Sequence, residues 1–152
     1  MIGCVVLIGI VMRKILVPMD GSESALRALT HVIGLAKHDA QLEIEVLNVQ
    51  LPIVSGEVRR FVTQSMIDEY HRAESEDALK PAKRLLEEAR VPYKATMLVG
   101  HVAATIAEYA SKHQCDAIVM GTRGMGPMKT LVLGSVATQV VHAADVPVTL
   151  VK

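Results

Sequence analysis

From Lys14 onward, short apolar runs alternate with longer stretches in which apolar residues return every three or four positions, as expected for strands joined by covering helices. Ile15-Leu16-Val17 is the first run, and it ends in Pro18-Met19-Asp20-Gly21-Ser22, where turn formers and a helix N-cap candidate stand together. The following stretch puts Ala25, Leu26, Leu29, Val32, Ile33 and Ala36 on one helical face. Leu42 to Val49 reads as the second strand, with Glu43 and Glu45 alternating with apolar partners. Gln50 to Thr63 holds Pro52, Gly56 and the Arg59-Arg60 pair without a strong period, so it reads as a loop, either a surface connection or a lid. A helical pattern runs from about Met66 to Ala89, with Leu79, Ala82, Leu85, Leu86 and Ala89 as its stripe; Pro81 is expected to kink it or start a new helix. Strand three is Tyr93 to Val99, closed by Gly100 before a helix from Ala103 to His113. Asp116 to Met120 is strand four, Val136, Val140, Val141 and Ala144 mark a last helix, and Val146 to Val151 is strand five. The alternation predicts an α/β fold with a doubly wound parallel sheet.

A length of 152 residues fits one domain with a core that needs neither disulfide nor metal. With 51% hydrophobic, 21% charged and only 3% aromatic residues, that core is aliphatic. Sixteen basic residues balance sixteen acidic ones, so no overall field gathers nucleic acid or an anionic membrane. Cys4 and Cys115 form no metal-binding or redox spacing and the six histidines are scattered, which points away from zinc and fits a reducing cytoplasm. The apolar stretch Met1 to Met12 is shorter than the roughly 20 residues of a membrane span, and its basic residues, Arg13 and Lys14, follow rather than precede it. It is read as an N-terminal extension, residues 1–12, ahead of a domain at 13–152.

The strongest chemical signal is Met120-Gly121-Thr122-Arg123-Gly124, placed after strand four, with Gly134-Ser135 at the start of the last helix. Glycines let a backbone approach a phosphate, and the free N–H groups at a helix start favour an anion. A βα turn also takes glycine for steric reasons alone, so each glycine has a second, plainer reading. Lys129-Thr130 does not make a Walker motif, because the lysine does not directly follow its glycine, and Lys129 also occupies the last glycine position of a dinucleotide fingerprint.

Taken together, these segments resemble the universal stress protein domain family over nearly all of Arg13 to Lys152. Ile15 to Ser22 is similar to that family's first strand and acidic turn, and Gly100-His101-Val102-Ala103-Ala104-Thr105-Ile106 to its segment after strand three, although proline is common where Val102 stands. Asp116 to Gly124 is similar to the fourth strand and loop, and Val146-Pro147-Val148-Thr149-Leu150-Val151 to the closing strand. The spacing of Gly121, Gly124, Gly134 and Ser135 resembles the ATP-binding branch. The resemblance implies a five-stranded parallel sheet of order 3-2-1-4-5, Rossmann-like and of the adenine nucleotide alpha hydrolase-like type, with ligand at the switch point between strands one and four. It places adenosine at Pro18, Met19 and Asp20, with Val49 beside the base. Met120, Gly121, Arg123 and Gly124 would line ribose and phosphates, and Gly134, Ser135, Val136 and Ala137 would hold phosphates at the last helix's start. Asp20 and Ser135 each have a simpler reading as helix-capping residues.

The resemblance also implies ATP as cofactor, with Mg2+ as a candidate companion ion, and a homodimer paired through the C-terminal strand. Phosphoryl transfer needs a metal, a base and a charge stabiliser; only the last, Arg123, is evident. The expected function is therefore a cytosolic ATP-binding regulatory or stress-response module, with a slow ATPase or phosphotransferase and a nucleotide-free interaction scaffold as alternatives.

Overall fold

The computed structural model describes residues 12–124 and 133–152. The extension at 1–11 and the loop pair Lys129-Thr130, compared above with the Walker and dinucleotide patterns, lie outside the described residues. The order is β1 (Lys14–Pro18), α1 (Glu23–Ala36), β2 (Glu43–Gln50), α2 (Gly56–Arg59), α3 (Gln64–Glu88), β3 (Tyr93–Val99), α4 (Val102–Lys112), β4 (Ala117–Gly121), α5 (Ser135–Ala143) and β5 (Val148–Val151). All five strands are parallel, in the order β3-β2-β1-β4-β5.

Two apolar layers sandwich the sheet, and strand parity decides which residue joins which. Ile15, Val17, Val46 and Val119 pack with α1 and α3, whereas Leu16, Leu47, Ile118 and Met120 pack with α4 and α5. Because both faces are covered, the central strands read as unbroken apolar runs.

Three local features differ from the sequence pattern. A single turn of helix, α2, forms inside the expected loop. No new helix starts at Pro81: α3 is assigned as one helix through it, with Leu79 and Ala82 buried on either side. Proline there removes a helical hydrogen bond at a cost of about 3 kcal/mol, and the burial of both flanks and of Leu86 in one core holds the two halves together. On α5 the buried stripe is Ala137 and Val140; Val136 and Val141 turn aside, 37% and 45% exposed.

A polar group is buried at the amino edge of the sheet. Glu45 is 5% exposed, and its Oε1 lies 3.6 Å from Lys14 Nζ. The Tyr109 hydroxyl shares a 3.2 Å hydrogen bond with Thr96 Oγ1. Burial, reinforced by the Glu45 carboxylate, raises Tyr109 to about 12 and the Cys115 thiol to about 11.

At the other side, β5 is an outer strand. Ile118 N–H donates to Pro147 O and Thr122 N–H to Val151 O, so the main-chain groups of Val148 and Leu150 between them face the open edge.

Candidate functional site

The chain reverses its direction of winding between β1 and β4, which are adjacent parallel strands in register at Ile15↔Ala117 and Leu16↔Ile118. Their carboxyl ends therefore open a crevice. On the β1 side, Asp20 Oδ1 accepts the Ser22 N–H at 2.9 Å, and Ser22 Oγ accepts the Ala25 N–H at 3.2 Å. Ser22, not Asp20, is thus the cap of α1; Asp20 shapes the turn before it. Gly21 holds φ at +83°, and a Cβ there would lie 3.3 Å from Ala78 Cα of α3. The turn needs glycine both for its left-handed backbone and for that close approach.

On the β4 side, each glycine of the motif has its own neighbour. A Cβ on Gly121 would lie 2.6 Å from the carbonyl carbon of Ser24, so this glycine lets α1 sit down on β4. A Cβ on Gly124 would lie 2.9 Å from Asp20 Oδ2, which puts the loop backbone directly against the acidic turn. Gly134 N–H donates to Thr122 O at 2.8 Å, and a Cβ there would lie 3.0 Å from that same oxygen. This one hydrogen bond closes the excursion between residues 122 and 134 and brings the two halves of the spaced motif together.

The N-cap of α5 is Gly134, so Ser135 is its first helical residue rather than its cap. The first hydrogen bond of that helix is Thr138 N–H to Gly134 O. The N–H groups of Ser135, Val136 and Ala137 precede it and have no partner inside the helix. The exposed Ser135 hydroxyl stands beside them.

These pieces enclose a cavity of about 450 Å³. Pro18, Met19, Asp20, Val49, Met120, Gly121, Arg123, Gly124, Gly134, Ser135, Val136 and Ala137 all line it. Five further lining residues were not anticipated: Ala25, Leu47, Val102, Ile106 and Leu133. Strand parity carried a signal for Leu47, which shares a face with Val49, and the i,i+4 pair Val102 and Ile106 shares a face of α4. Proline is favoured at the first position of a helix, and Val102 occupies that position in α4. The walls are mainly aliphatic, suited to a flat apolar group, while Asp20 and Arg123 are exposed charged residues among the lining. Among the described residues, no group of three or more His, Cys, Asp or Glu side chains is placed to hold a metal ion.

Comparison with known proteins agrees with this architecture. A model of the universal stress protein family matches residues 12–152. Universal stress protein MJ0531 of Methanocaldococcus jannaschii is 38% identical over 142 residues, covering 92% of this chain and 82% of its own length. The solved structure of MJ0577 from the same organism superposes with a TM-score of 0.80 at 29% identity, covering 94% of this chain and 97% of that one. A family protein from Arabidopsis thaliana, solved with AMP bound, shares the fold at 20% identity with a TM-score of 0.66, covering 91% of this chain and 90% of that one. With sequence, sheet order and cleft in accord, the chain belongs to the universal stress protein family.

Proposed function

We propose that the protein binds ATP in the cleft between β1 and β4 and acts as a cytoplasmic regulatory module rather than as a fast enzyme. The observation that carries this reading is the convergence of three distant segments, residues 18–20, 120–124 and 134–137, on one cavity in which Asp20 faces Gly124. Adenine fits between the aliphatic walls of Val49, Leu47, Val102 and Ile106, where backbone groups supply the polar contacts. Asp20 Oδ2 is an acceptor for a ribose hydroxyl. The N–H groups of Ser135, Val136 and Ala137, which have no partner inside the helix, the Ser135 hydroxyl and the Arg123 guanidinium suit phosphates. The AMP bound by the Arabidopsis relative supports an adenine nucleotide as the ligand class. Mg2+ bound with the phosphates would neutralise part of their charge, and Asp20 is the carboxylate of the described lining that would be available to hold it.

Holding the nucleotide is favoured over hydrolysing it because the described lining supplies charge stabilisation but a single carboxylate, Asp20. Dimerisation through β5 is part of the same proposal, supported by the open edge at Val148 and Leu150.

Calorimetry with ATP, AMP and GTP tests the ligand. Saturable binding of adenine nucleotides with GTP excluded is the expected result, and no binding of ATP at millimolar concentration rejects the reading in favour of an interaction scaffold. Chromatography of ATP incubated with protein for hours tests the regulatory half: stoichiometric ADP that disappears with Asp20→Ala would make the protein a slow ATPase instead.

A further inference from the structure

We infer that Asn48 is a positioning residue for the acidic turn, acting from the face of the sheet opposite the cleft; the affinity part of its test rests on the nucleotide reading above. Asn48 is 3% exposed near the end of β2, between Leu47 and Val49, which both line the cavity. Alternation along the strand turns Asn48 to the other side, toward the layer of α1 and α3. From there its Nδ2 donates to Met19 O at 2.7 Å.

That carbonyl belongs to the peptide unit joining Met19 to Asp20. The N–H of Met19 is already held by Leu47 O at 2.8 Å, so β2 grips Met19 by both of its main-chain polar groups. β1 itself ends at Pro18, and Asn48 extends the β1–β2 connection past the strand's end with a side chain. The plane of the Met19–Asp20 peptide is thereby set, and with it the direction in which Asp20 leaves the sheet.

The carboxamide is held in turn. Gln50 Nε2 donates to Asn48 Oδ1 at 2.7 Å, which assigns the oxygen and leaves the NH2 group for Met19. Gln50 O accepts the Gly100 N–H at 2.9 Å, tying this relay to the end of β3. An apolar residue at position 48 would satisfy the alternation equally well, but it would leave Met19 O without its side-chain donor.

The test uses Asn48→Leu, which keeps bulk and removes the donor, with Asn48→Ala as the second variant should leucine not fold. In the ligand-free protein, amide exchange at Ser22, whose N–H is held by Asp20 Oδ1, is expected to accelerate about tenfold while the amides of α5 stay unchanged. ATP affinity is expected to fall about tenfold, as for loss of a well-made hydrogen bond, with a similar loss in a Ser135→Ala background. In an Asp20→Asn background the loss should shrink to below about threefold, because the two residues act through one contact. Equal losses in both backgrounds would mean a general loosening of the fold and would overturn the assignment. Unchanged Ser22 exchange overturns it as well. If the parent protein binds no ATP, the nucleotide reading fails and the exchange measurement alone decides the role of Asn48.

Discussion

Gly121 and Gly124 occupy equivalent-looking places in one motif, yet their surroundings assign them different work, and a single methyl group separates the two. In Gly121→Ala the new Cβ meets the main chain of Ser24 at 2.6 and 2.8 Å, and a helix backbone cannot rotate out of the way. Overpacking of this kind costs about 1–3 kcal/mol, partly offset by about 0.4–1 kcal/mol from a stiffer unfolded chain. A net loss of about 1 kcal/mol corresponds to a fall in Tm of about 2–4 °C for a chain of this size. In Gly124→Ala the neighbour at 2.9 Å is Asp20 Oδ2, the end of a side chain that can swing away, and the backbone is outside the left-handed region. Relief of that contact costs part of the Asp20 turn bond and is matched by the entropy gain, so stability should stay nearly unchanged. ATP affinity should nevertheless drop at least tenfold, because the carboxylate has left its place, and Gly124→Val should abolish binding. Urea unfolding of the ligand-free variants gives the first comparison and calorimetry the second. Equal destabilisation by the two alanines, or a Gly121→Ala protein as stable as the parent, would refute the division of roles.

Ser135→Ala should weaken ATP binding by about 1.5–3 kcal/mol, the usual worth of a hydrogen bond to a charged group, with Tm unchanged because the hydroxyl belongs to an exposed residue that does not cap α5; calorimetry and a melt on the same sample check both halves. Alkaline stability reports the amino-edge group. Tyr109 is raised to about 12 in the folded protein, so its contribution is complete below pH 10, where the unfolded phenol is also protonated, and is lost as pH climbs from 10 to 12. Comparing urea unfolding at pH 9 and pH 11, Tyr109→Phe should abolish on the order of 1 kcal/mol of the decline. Cys115→Ala should remove a similar component between pH 9 and 11, the window set by its rise to about 11. Val148→Pro removes an outward N–H from β5 without touching its hydrogen bonds to β4, so light scattering should show a dimer reduced to a monomer; an unchanged mass would exclude pairing through this edge.

What the chain determined by itself was largely periodic. Ala25, Leu29, Val32 and Ile33 form the buried face of α1 because helical geometry brings every third or fourth residue to one side, and that spacing is written in the sequence. The turn after β1 and the start of β4 were legible for a similar reason, since glycine, proline and aspartate punctuate the backbone locally. The sheet order and the nucleotide motif were read through likeness to a family, which stores tertiary information that a single pattern lacks. Burial decided the rest. Pro81 looks like a helix breaker in isolation, but Leu79, Ala82 and Leu86 anchor both sides of it to one core, and long-range packing outweighs a local penalty of about 3 kcal/mol. Asp20 resembles a cap until the register of the turn assigns that role to Ser22. Gly121 and Gly124 are the same residue type three positions apart, and only the packing of α1 against β4 makes one of them a packing glycine and the other a neighbour of Asp20. Asn48 carries no local signal at all: its importance lies in a contact with Met19, twenty-nine residues away in sequence, and such a contact exists only once β1 and β2 lie side by side.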